Sequence, residues 1–147
     1  MDELLVDGGK VEFSPDPGWA WAGGWDGSLS VSVSPHGMTS DGKAVASPED
    51  LERLASLLLG RSYTATGFSD VPGSVLSASI RVDRGTLSQG ITVGGANMAC
   101  SRTKGTFRLS CTPALKAGSP PVPDPAPAKS GTWQVVQSGQ SFARVGR

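Results

Sequence analysis

Apolar and polar residues alternate along several stretches of this chain, and the alternation predicts a mainly β protein. Between residues 28 and 34, leucine and valine alternate with serine, a period of two that is typical of a half-buried strand. Residues 1–13, 75–82, 91–93 and 132–136 also carry short apolar runs close to turn-forming residues, and we expect a strand in each of them.

One helix is predicted over residues 48–59. Ser47 is a favourable N-cap, and Pro48 suits the first helical position because an N–H would be unpaired there in any case. Gly60 is typical of the residue that ends a helix. The apolar positions that fall on one helical face are Leu51, Leu54, Ala55 and Leu58. A helix this short needs packing against other elements to be stable.

The segment 14–27 is rich in proline and glycine, and we expect an irregular loop there. It contains Trp19, Trp21 and Trp25, the densest aromatic cluster of the chain. Two interpretations are open at this point. The indoles form a platform that stacks on a sugar or grips a peptide, or they fill the core of a small domain with few other aromatic residues. Exposure of the indoles to water distinguishes the two.

Residues 118–129 contain five prolines in twelve positions, which predicts an extended, polyproline-like arm. The arm separates a β-rich domain, residues 1–117, from a C-terminal strand and tail, residues 130–147. We expect the arm to deliver the last strand to an edge of the sheet, so that it packs back on the domain. The expected fold is a compact β domain rich in glycine and proline, a roll, sandwich or tapering cone, with one short helix.

The charge balance argues against nucleic acid as a partner. The 147 residues include 13 Lys and Arg and 13 Asp and Glu, so no net charge attracts nucleic acid or an anionic membrane to a whole face. One His and one Tyr exclude most hydrolytic chemistry and sites built from several histidines. Neither an acid/base carboxylate pair nor a phosphate-binding glycine motif stands out. We expect no enzymatic activity, no catalytic residue and no cofactor.

The start of the chain bears on localisation. The first seven residues are acidic, and the longest apolar run is Leu57–Leu59. A secretory signal needs a basic start and an apolar stretch of about 7–15 residues, and a membrane span needs about 20. We therefore expect a protein that is made in the cytoplasm without a signal peptide. Two cysteines suit a reducing compartment, in which thiols stay free.

The cysteines belong to a predicted hairpin at 98–109, for which two registers compete. A turn at 105–106 places Cys100 opposite Cys111, close enough for a disulfide. A turn at 104–105 gathers the apolar residues on one face, and we favour it for that reason. That face consists of Met98, Cys100, Leu109 and Cys111. Two buried free thiols are expected, with a disulfide and a metal site as the alternatives.

A metal site is not expected from the spacing of the candidate ligands. His36, Cys100 and Cys111 are the side chains that would hold zinc, since three such ligands suffice for a site with an open position. The chain has neither a Cys-x-x-Cys pair nor a second His to support them. His36 lies in a predicted turn, where a solvent-facing side chain is the usual state.

A family resemblance rests on five short motifs. Residues 31–46 contain a strand, a short turn and a Gly-Lys-x-Val/Ala-Ala unit. Pro72–Leu76, Ile91–Gly95 and Thr112–Ala114 follow in order before the proline arm, and Gln140–Gly146 is similar to an Ala-Ala-Arg-x-Gly ending. Together these motifs resemble PAAR and PAAR-like proteins, which cap the trimeric spikes of contractile phage tails, extracellular injection particles and type VI secretion systems.

The resemblance implies a structural protein without enzymatic activity. Such a protein is a β-rich cap seated on a trimeric spike protein, one copy per trimer, in the baseplate of a virion tail or in a secretion apparatus, and it contacts a target membrane transiently. Its base has to match the trimer end with an apolar patch. The candidate partner-binding residues are Trp19, Trp21, Trp25, Leu29, Val31 and Val33, with Val75 and Ile80 as further apolar candidates.

Two features depart from the family pattern. Typical members bind zinc through three His and one Cys, whereas this chain has a single His. The predicted helix at 48–59 is an addition that a minimal cone does not need. The expected function is a tip or cap of a contractile spike. The alternative is a small β-sandwich binding module that uses its Trp cluster for a sugar or a peptide.

Overall fold

The computed structural model of the protein describes residues 3–33, 39–40, 42–88, 92–93 and 96–139. The strands in this part of the chain are β1 (Lys10–Pro15), β2 (Trp19–Trp21), β3 (Ser28–Ser30), β4 (Thr39–Ser40), β5 (Lys43–Ala44), β6 (Ser62–Ala65), β7 (Phe68–Val82), β8 (Thr92–Val93), β9 (Ala96–Asn97), β10 (Lys104–Cys111), β11 (Leu115–Lys116), β12 (Val122–Pro123) and β13 (Ala128–Gln137). The helices are α1 (Pro48–Glu52) and two 3₁₀ helices, Arg53–Leu58 and Arg84–Thr86.

Nine of the strands form one sheet that curls into a half-barrel. Its main path runs β12-β11-β7-β10-β13-β1-β3, and every pairing along it is antiparallel. β6 pairs with the first half of β7 and carries β2 on its other side. β4 with β5 and β8 with β9 form two separate short pairs. The prediction of a mainly β domain with one short helix is confirmed.

Large side chains and glycines alternate across the inner face of the sheet. One cross-strand row consists of Phe13, Trp133, Gly105 and Val82. Because Gly105 has no side chain, the Trp133 indole passes over it and donates a hydrogen bond to the Arg81 carbonyl oxygen at 3.1 Å. Aromatic rings on one strand thus lie over glycines on the next, and the core is densely packed.

The same device recurs in the next row. Gly131 lies opposite Phe107, and a Cβ on Gly131 would come within 2.7 Å of the Phe107 ring. The ring meets Phe13 edge-on, with centroids 5.3 Å apart. The buried core around these rings includes Val11, Phe13, Trp19, Leu29, Val31, Leu51, Leu54, Leu58, Tyr63, Val75, Ile80, Val82, Phe107, Leu109 and Trp133.

The helix begins where the sequence places it. Asp50 N–H donates to Ser47 Oγ at 3.3 Å, and Ser47 N–H donates to Asp50 Oδ2 at 2.9 Å, so that two terminal donors are satisfied reciprocally. The predicted single helix is instead one turn of α-helix followed by a 3₁₀ helix. Before β6 begins, a hydrogen bond from Gly60 N–H to the Val75 oxygen, 2.9 Å long, attaches the chain to β7. The helical segment packs against β7.

The predicted hairpin at 98–109 is wrong. β10 pairs with β7 on one side and with β13 on the other, and Cys100 forms an isolated bridge with Leu4. The turn lies earlier, at residues 101–102, where Cys100 N–H donates to Thr103 Oγ1 at 2.9 Å. Local alternation does not reveal which strand a segment pairs with, and β7 and β13 are longer partners than the segment before the turn.

The C-terminal strand lies inside the sheet, and its prediction as an edge strand is wrong. β13 runs between β10 and β1 because it contributes Trp133 and Gly131 to the middle of the core. The proline arm itself supplies the edge strand β12. Proline has no N–H to donate to a ladder and is therefore suited to an edge.

Two other predicted boundaries change. The segment 14–27 is more regular than expected, since β1 extends to Pro15 and Trp19–Trp21 pairs with β6. The alternating segment 28–34 is a strand only over Ser28–Ser30, although Val31 is buried further along the chain. Residues 34 and 91 lie outside the described part of the chain.

Candidate functional site

The three tryptophans that the sequence singled out pack together against the core. Trp19 is 9 % exposed, and Trp21 and Trp25 are half-buried. The Trp21 ring stacks on Phe107, with centroids 5.8 Å apart. It also meets the Trp19 and Trp25 rings edge-on, at 4.9 and 4.8 Å. Each indole therefore uses at least one face or edge on a neighbouring ring.

The polar edges of these indoles are also used within the protein. Each N–H donates to a backbone carbonyl oxygen: Trp19 to Ser130 at 2.9 Å, Trp21 to Phe13 at 2.9 Å and Trp25 to Ser28 at 3.1 Å. The Arg61 guanidinium covers the Trp25 ring, 4.1 Å from its centroid. A platform that stacks on a ligand needs ring faces and donors open to water. The cluster offers few of either.

The apolar partner-binding candidates are mostly unavailable to a partner. Leu29 and Val31 are buried in the core, as are Val75 and Ile80. Val33 is half-buried and packs against the same core. Alternation along a strand identifies its buried face. It does not show whether the core of the same protein or a partner protein buries that face.

The two cysteines are buried and free. Burial raises the pKa of the Cys111 thiol to about 11, an effect that the neighbouring Lys129 opposes and Asp124 reinforces. The Cys100 thiol lies 3.4 Å from the Thr86 carbonyl oxygen. Within the described ranges no group of three His, Cys, Asp or Glu side chains converges as metal ligands would, and His36 lies outside those ranges.

A buried polar network, absent from the sequence-based candidates, joins Tyr63, Asp124 and Lys129. Tyr63 OH donates to Asp124 Oδ2 at 3.0 Å, and Lys129 Nζ lies 2.8 Å from the same oxygen. Tyr63 OH also accepts the Ala114 N–H at 3.0 Å, and Asp124 Oδ1 accepts the Ala126 N–H at 2.9 Å. The network satisfies every one of its charged groups internally, as buried charges require.

The environment of the network shifts two pKa values in opposite directions. Burial raises the pKa of Tyr63 from 10.0 to about 12, with a further contribution from Asp124. Burial also opposes ionisation of Asp124, but hydrogen bonds from Lys129, Ala126 and Tyr63 outweigh it and hold the pKa of Asp124 below 3.8. At neutral pH the network is a neutral phenol beside a carboxylate–ammonium pair. The network fastens the proline arm to β6.

Three leucines of the helical segment, the residue after it and β7 are exposed, and we call them the leucine patch: Leu57, Leu59 and Leu76, with exposures of 48 %, 48 % and 62 %. Leu59 and Leu76 flank the hydrogen bond between Gly60 and Val75. Leu76 is the extra residue of a β-bulge, because Ser77 pairs with Ser110 and Val75 with Cys111. A bulge re-aims side chains, which accounts for a leucine turned to solvent here.

The solvent side of β7, β10 and β13 is a separate polar surface, which we call the outer face. Its exposed residues include Ser77, Ser79, Arg81, Lys104, Thr106, Arg108, Ser110, Thr132, Gln134 and Val136. A depression of about 470 Å³ is lined by Arg81, Thr106 and Arg108, and one of about 440 Å³ next to it is lined by Arg108, Ser110 and Ser130, among others. Arg108 therefore lies between two hollows of this face.

Sequence reasoning missed the leucine patch, the outer face and the buried network. The run Leu57–Leu59 is evident in the sequence, but within that run helical spacing identifies only Leu58 as a core residue, and the bulge at Leu76 depends on the partner strand.

Protein-family models and curated proteins yielded no match to this chain. No helix in the described ranges has the length and apolar character to cross a membrane.

Proposed function

We propose that this protein is a structural, non-enzymatic subunit that caps a trimeric spike in a contractile tail or a secretion apparatus. The observation that carries the proposal is the engagement of the Trp cluster within the protein, through ring contacts and all three indole N–H groups. This engagement favours a structural function over recognition of a sugar or peptide by stacked indoles, because free ring faces are what such recognition requires.

The leucine patch supports docking on another protein. Single exposed apolar side chains are ordinary, but several together mark a surface that another subunit covers. Leu76 is the most exposed of the large apolar residues among those described, at 62 %. The patch takes the place of Leu29 and Val31, which the core already uses, as the surface for the apolar end of a spike.

The test is co-purification of the tagged chain with the trimeric spike protein encoded in the same operon, with mass and stoichiometry measured by light scattering. We expect one copy per trimer. Leu76→Asp should weaken the complex at least about tenfold, because it places a charge in an apolar interface core. Val136→Asp is the matched control: Val136 is 44 % exposed on β13, away from the patch, and its substitution should leave binding unchanged.

Circular dichroism of both variants verifies that they are folded. A chain that elutes as a lone monomer beside the intact trimer would contradict the proposal. Equal binding by wild type and Leu76→Asp would retain the complex but exclude the leucine patch as the contact.

A further inference from the structure

We propose that the outer face holds a phosphate-binding site between Arg81 and Arg108, specific for a soluble phosphomonoester. The strand register brings the two arginines together. Thr106 pairs with Arg81 and Ser79 with Arg108, so the arginines occupy diagonal positions on β7 and β10. Diagonal neighbours on one face of a sheet have Cβ atoms about 7–8 Å apart, within reach of two long side chains that converge on one ligand.

Among the described residues, no ion pair compensates the charge of Arg81 or Arg108. In the described part of the chain, no carboxylate lies within ion-pair distance of either guanidinium. Glu52 lines the same depression, but its carboxylate is 4.0 Å from Arg84. Asp83 accepts the Gly85 N–H instead. Two like charges at this separation repel each other, and an anion between them relieves the repulsion.

The chemistry of the lining favours phosphate over a carboxylate. A guanidinium binds an oxyanion through two parallel N–H groups, and a carboxylate has only two oxygens, which a single arginine can occupy. A phosphomonoester has three terminal oxygens and a charge near −2, enough for two arginines. The hydroxyls of Ser79 and Thr106 line the depression between them and add short donors.

The surroundings indicate a water-soluble ligand rather than a lipid. The exposed residues of β7 and β10 that line the depression are Ser79, Arg81, Thr106 and Arg108, and the exposed aliphatic residue of the outer face, Val136, lies on β13 and does not line it. The strands β7 and β10 are paired over seven residues, so the arginine backbones are held on a rigid part of the sheet. The leucine patch is made of other residues, so the site does not depend on docking to a spike.

The experiment is an NMR titration of the ¹⁵N-labelled full chain with inorganic phosphate and with phosphoserine, at constant ionic strength, with acetate as the comparison anion. We expect saturable amide shifts at residues 79–81 and 106–108 with both phosphates and not with acetate. The affinity for phosphoserine should rise several-fold as the pH passes through about 6, because its phosphate becomes a dianion while both guanidinium groups stay charged.

Variants separate a built site from general charge attraction. Arg81→Gln and Arg108→Gln should each lower phosphate affinity about tenfold or more, and Arg108→Lys, which keeps the charge but loses the fork, should fall between. Lys116→Gln removes one exposed positive charge on β11 and should leave affinity unchanged.

Four results would overturn the proposal. They are the absence of saturable amide shifts with phosphate, equal shifts with acetate, an equal loss of phosphate affinity in Lys116→Gln, and binding of the protein to vesicles of phosphatidic acid and phosphatidylcholine but not to the soluble phosphates. Each of them is distinguishable from failure of the spike proposal, which is measured on a different surface.

Discussion

Tyr63 is the one tyrosine of the chain, and its hydroxyl lies at the centre of the buried network with Asp124 and Ala114. A phenol in this position is held neutral, because the hydroxyl is buried and ionisation would place a second negative charge beside the Asp124 carboxylate. Gly73 completes the environment, since a Cβ there would collide with the Tyr63 ring. The phenol therefore acts as a structural donor and acceptor.

The pKa of Tyr63 gives a residue-scale prediction about alkaline pH. Burial raises it from 10.0 to about 12, so the free energy of unfolding includes a contribution that is complete below pH 10 and lost as the pH rises from 10 to about 12. Tyrosinate absorbance reports this residue alone. We expect a midpoint near 12 in the folded protein, or at alkaline unfolding if that comes first, and near 10 in denaturant.

Ionisation of the Cys111 thiol also lowers the free energy of unfolding as the pH rises from 9 towards 11. Tyr63→Phe is therefore the control that separates the contribution of Tyr63 from that of Cys111. This variant should lose less stability between pH 10 and 12 than the wild type. A folded protein whose tyrosinate midpoint is near 10 would contradict the burial of the hydroxyl.

At the scale of elements, the approach of β7, β10 and β13 depends on positions without side chains. Gly105 lies under the Trp133 indole, and Gly131 lies under the Phe107 ring. The aromatic rings thereby fill space that lies directly over a neighbouring strand, and the Trp133 hydrogen bond links β13 to β7 across β10. Alternation in the sequence identifies such strands. It does not show that an aromatic ring of one strand packs over a glycine of the neighbouring strand.

Gly105→Ala tests this packing. The added Cβ would overlap the Arg81 carbonyl oxygen and lie 2.8 Å from Trp133 Nε1, so strands or ring must shift. We expect a loss of about 3 kcal/mol in the free energy of unfolding, measured by urea denaturation. Gly85→Ala is the matched control, because its Cβ would meet only the Asp83 side chain at 3.4 Å, and it should cost less than about 1 kcal/mol. Equal effects of the two substitutions would refute the packing argument.

At the scale of the whole molecule, the buried network connects β6 to the proline arm, 61 residues apart in the sequence. Asp124 lies in the middle of the proline arm and Lys129 at its end, where β13 begins, and their side chains are 5 % and 11 % exposed. Together with Tyr63 they hold residues far apart in the sequence on one side of the sheet. The arm is thereby fixed over the domain, and its Val122–Pro123 segment forms the edge strand next to β11.

Asp124→Leu should therefore cost about 3–5 kcal/mol in the free energy of unfolding, because it leaves the Lys129 ammonium buried without its partner. The double variant Asp124→Leu/Lys129→Met should recover most of this loss, since no charge is then left unpaired. Glu52→Gln, which breaks the exposed pair with Arg84, should cost less than about 1 kcal/mol. Urea denaturation measures all three, and a double variant no more stable than Asp124→Leu would contradict the argument.

The same pair also sets a dependence on acid. The pKa of Asp124 lies below its usual value, so its contribution is complete above pH about 4 and is lost as the pH falls through the lowered pKa. The double variant should lose that part of the acid dependence.

The sequence by itself determined the local features. The start of α1 follows from Ser47 and Asp50, whose side chains accept each other's backbone N–H, and the strand within 75–82 follows from a short apolar run. The fold class and the approximate positions of the strands can be predicted from local sequence, because they depend on dihedral preferences and on which face of each strand is apolar.

Only the tertiary structure decided which strands pair and which apolar residues stay exposed. Pairing β10 with β7 and β13, rather than with residues 98–100, depends on partners distant in the sequence, and so do the bulge at Leu76 and the diagonal of Arg81 and Arg108. The Trp cluster shows the same limit. Its composition fits a core or a binding platform equally well, and the rings and carbonyl groups that surround it come from five other segments. A local sequence pattern cannot predict contacts of this kind, because they form only when segments distant in the sequence come together in the folded chain.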